Sequence, residues 1–136
     1  MYLLDTNVIS ELRKGSRTNH GVATFFAGLH PDDIYLAAQT IGEIRHGVEA
    51  LRRRGDLNQA GQLEAWLDDV VENFGAHILS FGLECAQLWG RLLSRGPDHA
   101  IDKQIASIGL IYDLAVVTRN TADFASTGVR CLNPFT

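Results

Sequence analysis

The sequence predicts an α/β fold in which a parallel sheet lies between two layers of helices. Short apolar segments with strand character alternate along the chain with longer helical segments, an order typical of parallel sheets. The segment at residues 115–118 is a continuous apolar run, as expected of a strand covered on both faces. With 136 residues and no repeat or linker, the chain is expected to form one domain, residues 1–136, built as a three-layer α/β/α sandwich.

Local signals give the elements of the first half in order. A strand is expected at residues 2–4, followed by a helix at 8–13 that Gly15 ends. A turn signal at residues 31–33 separates a helix at 18–28 from a strand at 34–36. Gly55 then divides two long helices at 40–54 and 57–73, the second with apolar residues at helical spacing.

The second half continues the same alternation. A strand at 78–81 precedes a helix at 83–93. Pro97 is expected to begin the next helix, which runs to residue 112, because proline favours the first helical turn. After the strand at 115–118, a helical turn at 121–124 and a strand at 129–131 complete the domain.

Composition is that of an ordinary soluble protein, 46 % apolar and 21 % charged. No apolar run approaches the roughly 18 residues of a membrane span and no leader precedes Tyr2, so we expect a cytoplasmic protein that does not enter a membrane. The isolated Cys85 and Cys131 are expected to be free thiols. A net charge of −4 argues against coating of nucleic acid by bulk electrostatics, but not against contact through a few local arginines.

Four acidic residues stand at related places in the predicted fold. Asp5 and Asp123 follow strand ends, and Glu43 and Asp102 lie near helix starts, flanked by apolar residues. In a parallel sandwich, strand ends and the starts of the following helices share one edge. We therefore expect the four carboxyl groups to converge on one pocket.

Each of these acids also has a purely structural interpretation. Asp5 or Asn7 would cap the first helix, and Glu43 would complete a capping box with Thr40. Asp102 would stabilise a helix N-terminus through the helix dipole. Asp123 would be a turn residue.

Four clustered carboxylates repel one another, and a hard divalent cation relieves that repulsion. Mg²⁺ or Mn²⁺ prefers oxygen ligands and bridges to phosphate, so the pattern indicates phosphodiester hydrolysis by a metal-activated water. No serine nucleophile elbow, Walker glycine loop or zinc cluster competes. The five histidines lack ligand spacing and are expected to be surface or structural residues: His20, His30, His46, His77 and His99.

Six ordered segments resemble the VapC-type toxins of the PIN-domain ribonucleases, FitB-like subgroup. They are LDTNVISEL (4–12), TIGEIRHG (40–47), LWGRL (88–92), IDxxIA (101–106), VTRNxxDF (117–124) and GVRxLNPF (128–135). The resemblance implies a five-stranded parallel sheet, Mg²⁺-dependent endoribonuclease activity and neutralisation by a cognate antitoxin. It also implies that the metal-site acids are Asp5, Glu43, Asp102 and Asp123, supported by the polar residues Thr6, Asn7, Thr118 and Asn120.

One position departs from the family pattern. Lys103 follows the third acid, where such toxins usually carry a small or apolar residue. Its ammonium group would either enter the pocket, replacing part of a metal's charge or contacting phosphate, or point to solvent.

Three further expectations follow. Lys14, Arg17 and Arg119 are the candidate RNA contacts, with Arg13 and the run at 52–54 as further cations. Apolar helix residues that exceed what a small five-stranded core can cover predict a homodimer: Trp66, Leu67, Trp89 and Leu92. The resemblance implies the same, a homodimer that pairs further when bound to antitoxin. The alternatives are a phosphatase with Asp5 as nucleophile, although the second acid such enzymes carry is replaced by Asn7, and a non-catalytic binding module whose acids are caps.

Overall fold

The computed structural model describes all residues, 1–136, and contains five parallel strands and seven α-helices. The strands are β1 (Tyr2–Leu4), β2 (Ile34–Ala37), β3 (Ile78–Leu79), β4 (Ala115–Val117) and β5 (Cys131–Leu132). The helices are α1 (Thr6–Leu12), α2 (His20–Ala27), α3 (Ala38–Arg53), α4 (Leu57–Phe74), α5 (Leu83–Leu93), α6 (Ala100–Ile111) and α7 (Thr121–Phe124). The predicted fold class and its five-stranded parallel sheet are confirmed.

The sheet has the strand order β3-β2-β1-β4-β5, so the first strand of the chain is the central one. Leu4 is in register with Leu36 of β2 on one side and with Val117 of β4 on the other. From β1 the chain adds β2 and then β3 on one side. It then crosses to the other side of β1 and adds β4 and β5. Parallel sheets bind ligands at the carboxyl ends of the strands where this order reverses, here between β1 and β4.

Alternating side chains of the strands supply two separate apolar layers. Leu3 and Val116 pack with α5, α6 and α7, in a core that includes Ile105, Ile108 and Phe124. Leu4 and Val117, the next residue of each strand, pack on the opposite face with helices α1 to α4. Because both faces of β4 are covered, its three residues are all buried, as the continuous apolar run predicted.

Several predicted boundaries differ from the structure. α1 begins two residues early because Asp5 caps it, and α2 begins at His20 because the Asn19 side chain accepts hydrogen bonds from the amides of Gly21 and Val22. The third strand ends at Leu79, where its pairing with β2 ends. The last strand begins two residues late, at Cys131, the partner of Val116.

The expected start of α6 at Pro97 is wrong. The helix begins at Ala100, because His99 has a left-handed backbone with φ of +57°, which cannot belong to a right-handed helical turn. Two side chains hold the loop in this path. The Trp89 indole Nε1 donates to the Ala100 carbonyl oxygen at 3.0 Å, and the Lys103 ammonium donates to the carbonyl oxygen of Gly96.

The predicted surplus of apolar helix surface is also wrong for the residues that suggested it. Leu67 and Leu92 are buried, at 2 % and 4 % exposure, because the helix layers cover them. Trp66 is half-buried against the core of the α1 to α4 face, and Trp89 is half-buried with its ring roughly perpendicular to that of Phe81.

None of the helices combines the length and the apolar character that a membrane span requires.

Candidate functional site

Asp5 lies at the centre of the edge where the strand order reverses. It follows β1 directly, its amide donates to the Val117 carbonyl oxygen at 2.9 Å, and it is 5 % exposed. The Thr118 hydroxyl donates to its Oδ2 at 2.8 Å, and Asn7 Nδ2 donates to the same oxygen at 3.3 Å. Asp5 Oδ1 also accepts from the Thr6 amide at the start of α1. The carboxylate therefore caps the helix, as the structural interpretation held, and is also fixed by polar groups from two strand ends.

Asn7 and Thr118 connect β1 to the loop after β4. Asn7 Nδ2 donates to the Thr118 hydroxyl oxygen at 3.3 Å, while its Oδ1 accepts from the Arg119 amide at 3.0 Å. The Thr118 hydroxyl oxygen also accepts from the Asn120 amide at 3.0 Å. Asn120 therefore contributes its backbone, and its side chain makes no hydrogen bond in the structure. These bonds orient the segment that leads from β4 to Asp123.

Glu43 reaches the same edge from α3. Its Oε1 accepts from the Thr6 hydroxyl at 2.7 Å, and that hydroxyl also lies 3.3 Å from the hydroxyl of the buried Thr40. The proposed capping box is wrong, because α3 begins at Ala38 and its cap residue, Ala37, offers no side-chain hydrogen bond. Thr40 is therefore inside the helix, and Glu43 is held by the neighbouring helix α1.

Asp102 and Asp123 complete the acidic group and are brought together by α6 and α7. Burial raises the pKa of Asp102 to about 6, and repulsion from Asp5, Asp123 and Glu43 adds to that rise while His99 opposes it. Burial also raises the pKa of Asp5, against the hydrogen bonds from Thr118 and Thr6. Asp5, Glu43 and Asp123 are thus close enough to Asp102 to raise its pKa.

His99 is a member of this site that the sequence interpretation missed. Its Nδ1 lies 3.7 Å from Asp102 Oδ2 and its Nε2 lies 3.7 Å from Asp123 Oδ1. One ligand atom from each of these three residues falls within 4.8 Å of the other two. The expectation that no histidine has ligand spacing is therefore wrong for His99, and the spacing of three residues before Asp102 was the available signal. His77, by contrast, is structural: Nδ1 contacts the Ile34 carbonyl oxygen at 2.9 Å.

Lys103 does neither of the two things expected of it. It is 6 % exposed, so it does not point to solvent, and its ammonium donates to the Gly96 carbonyl oxygen instead of entering the acidic pocket. The ammonium is directed to the loop at residues 94–99 because that loop folds back over the start of α6. Lys103 thus holds the loop that carries His99.

Some of the basic side chains that are candidates for RNA contact are already bound by acidic residues, and others are not. Lys14 is paired with Glu11 at 2.9 Å, while Arg17 is exposed and makes no ion pair. The Arg119 guanidinium lies 4.5 Å from the centre of the Phe135 ring, beside the acidic site. Arg52 is bound by Glu49 and Glu64, which removes it from the set of free cations.

Comparison with known proteins decides the family. The model of the PIN domain matches residues 2–129, nearly the whole chain. The chain belongs to the PIN domain family. Toxin FitB of Neisseria gonorrhoeae and the plasmid stability protein StbB of Pseudomonas syringae pv. tomato are each 32 % identical to this PIN domain, over 99 % of both chains. The crystal structure of FitAcB from N. gonorrhoeae superposes with a TM-score of 0.86 at 32 % identity, covering 98 % of each chain.

The donor set of this PIN domain is suited to a divalent cation. Carboxylate oxygens are the ligands that Mg²⁺ and Mn²⁺ prefer, and an imidazole nitrogen is a common ligand of transition-metal ions. The mutual repulsion that raises the pKa of Asp102 is the electrostatic condition that a bound cation relieves. The compact set comprises His99, Asp102 and Asp123, whereas Asp5 and Glu43 lie outside it.

Proposed function

We propose that the protein is a metal-dependent endoribonuclease and the toxin of a type II toxin–antitoxin pair. The observation that carries the proposal is the acidic group at the strand-order reversal of a PIN domain: burial raises the pKa of Asp102 to about 6, and Asp5, Asp123 and Glu43 add to that rise. The relatives support the biological class. One is named a toxin, and a relative from Sinorhizobium fredii, 28 % identical over 99 % of this chain, is named a VapC ribonuclease.

In this proposal Asp5, Glu43, Asp102 and Asp123 would hold Mg²⁺ or Mn²⁺, and that cation would supply an activated water and offset charge on the leaving oxygen. The chain's own polar residues fix the carboxylates before substrate arrives: Thr118 and Asn7 hold Asp5, and Thr6 holds Glu43. Such pre-orientation matters because carboxylates already in place need no reorganisation during the reaction.

RNA is held by a small number of cations beside the site. Arg119 is the strongest candidate, because its amide is hydrogen-bonded to Asn7 and its side chain is oriented by Phe135. Arg17 has no competing ion pair, whereas the bond from Lys14 to Glu11 must break or rearrange before it contacts phosphate. A shallow groove lined by Glu43, His46 and Ile101 leads away from the acids and can accept flanking nucleotides.

The test is cleavage of single-stranded RNA by protein stripped of metal and then supplied with Mg²⁺ or Mn²⁺. Asp5→Asn, Glu43→Gln and Asp123→Asn should each abolish cleavage and keep the fold, while Asp68→Asn on the exposed side of α4 should keep both. Calorimetric titration with Mn²⁺ should show heat for wild type that Asp5→Asn loses. A phosphatase would instead turn over a phosphomonoester, and a binding module would show no metal-dependent turnover at all.

We also propose that the protein forms a homodimer and is neutralised by an antitoxin. Exposed apolar side chains lie together where α5 begins and α6 ends: Leu83 is 76 %, Ile111 39 % and Tyr112 50 % exposed. Leu83 and Ile111 line one groove, a surface of the kind that marks protein contacts. Sedimentation should show a dimer that Leu83→Glu converts to monomer, with Leu57→Glu as the control, since Leu57 is 67 % exposed on α4.

A further inference from the structure

We infer that His99 is a direct nitrogen ligand that makes this site prefer Mn²⁺ to Mg²⁺. The inference rests on the proposed metal-dependent function and concerns which cation the site selects. The compact donor set in the structure is one imidazole and two carboxylates, from His99, Asp102 and Asp123, with their ligand atoms within 4.8 Å of one another. In an octahedral site with metal–ligand distances of about 2.2 Å, neighbouring donors are about 3 Å apart and opposite donors about 4.4 Å apart, so donors spread over up to 4.8 Å need to move inward by only a few tenths of an ångström to hold one ion.

Contacts within the fold fix the backbone position of His99. Its left-handed backbone ends the loop before α6 and turns the ring toward the two acids. The bond from Lys103 to Gly96 holds the loop on one side, and the bond from Trp89 to the Ala100 carbonyl holds the helix start on the other. Because these bonds fix the backbone on either side of His99, mainly its side-chain torsions have to be ordered when the ring binds a ligand.

The distances from the His99 ring nitrogens to the two carboxylates suit a metal ligand better than an ion pair. Both ring nitrogens face carboxylate oxygens at 3.7 Å, a distance too long for a hydrogen bond. A small inward movement would bring one nitrogen to a cation that both carboxylates hold, and would leave the other nitrogen free to donate its proton to the remaining oxygen of one of them. Carboxylate–histidine–metal arrangements of this kind orient the ring and strengthen it as a ligand.

The nitrogen donor determines the selectivity. Mg²⁺ is a hard ion that prefers oxygen ligands and retains its waters, whereas first-row transition ions accept imidazole nitrogen readily. Replacing an oxygen or water ligand by His99 therefore favours Mn²⁺ over Mg²⁺. Asp5 and Glu43 lie outside the compact set, and the carboxylate oxygens that they would offer the cation serve both ions alike.

The experiment compares cation binding in wild type, His99→Asn and His99→Gly, each stripped of metal. Asparagine and glycine both accept a left-handed backbone, so the loop is kept while the nitrogen ligand is removed. His20→Asn is the matched control, an exposed histidine at the first residue of α2. Affinities for Mn²⁺ and Mg²⁺ are measured by calorimetry, and pulsed electron paramagnetic resonance of bound Mn²⁺ detects coupling to a directly bonded ¹⁴N nucleus.

Wild type and His20→Asn should show the ¹⁴N coupling and prefer Mn²⁺. Both His99 variants should lose the coupling, with Mn²⁺ affinity reduced by about tenfold or more and Mg²⁺ affinity changed by less than about threefold. If wild type binds Mn²⁺ without the coupling, or if the His99 variants keep the wild-type preference, the inference is overturned and the proposed nuclease stands. If wild type binds neither ion, the proposed metal dependence itself fails.

Discussion

Replacing Asp102 with asparagine should stabilise the protein at neutral pH when no divalent cation is present. Burial and the neighbouring acids Asp5 and Asp123 raise the pKa of Asp102 from 3.8 to about 6, so its ionised form is disfavoured in the folded state. Its carboxylate accepts no hydrogen bond that asparagine would lose, and its contact with His99 is 3.7 Å long. The substitution therefore removes repulsion without removing a strong interaction.

The size of the effect follows from the shift. A rise from 3.8 to about 6 corresponds to about 3 kcal/mol, and solvent screening at a side chain that is 28 % exposed reduces this to about 1–2 kcal/mol. Between pH about 4 and 6 the folded protein keeps a proton on Asp102 that the unfolded chain has released. The free energy of unfolding therefore falls as pH rises through that window, and the full penalty is present above pH 6.

Chemical denaturation in a chelator at pH 4.5 and pH 7.5 measures this prediction. Asp102→Asn should raise the free energy of unfolding by about 1–2 kcal/mol at pH 7.5 and by little at pH 4.5, a rise in Tm of roughly 3–8 °C at the higher pH. Asp68→Asn, on the exposed side of α4, is the control and should leave both values unchanged. An Asp102→Asn protein that is no more stable than wild type at pH 7.5 would refute the reasoning, because the acids would then not repel one another.

Three other predictions concern a hydrogen bond that supports the site, the packing of the C-terminal segment and a candidate RNA contact. Thr118→Val removes the 2.8 Å hydrogen bond to Asp5 and should cost about 1.5–3 kcal/mol of unfolding free energy, measured by urea denaturation. Gly21→Ala places a methyl group against the carbonyl oxygen of Pro134 in the C-terminal segment and should destabilise the protein by about 1–3 kcal/mol. Gly61→Ala, whose methyl group meets nothing within 4 Å in α4, should be neutral or stabilising by up to about 1 kcal/mol. Arg119→Ala should lower the slope of log affinity for RNA against log salt by about 0.7, and an unchanged slope would show that this guanidinium contacts no phosphate.

The fold and much of the acidic site could be predicted from sequence because they depend on local patterns. The alternation of short apolar strands with helices defined the sandwich. Asp5 and the loop that leads to Asp123 both follow strand ends, which predicted that they share one edge of the sheet. Glu43 and Asp102 were expected at the same edge, and Glu43 adds to the raised pKa of Asp102. The roles of these residues in metal binding and cleavage stay predictions.

What could not be predicted depends on contacts distant in sequence. The late start of α6 and the placement of His99 follow from a buried lysine and a tryptophan that hold the preceding loop, and neither contact has a sequence signature. The burial of Leu67 likewise depends on its fit with core residues from six other elements on the α1 to α4 face. Helical spacing identifies the inward side of a helix but not how completely its neighbours cover it.

The central position of the first strand has a consequence for when the acidic site can form during synthesis. The hydroxyl that orients Asp5 belongs to Thr118, which lies 113 residues later in the chain, and β4 is the neighbouring strand that completes the surroundings of Asp5. Contacts that join distant parts of a chain form late in folding. A growing chain therefore lacks Thr118 and Asp123 beside Asp5 until both have been synthesised, and the site forms only when β4 pairs with β1.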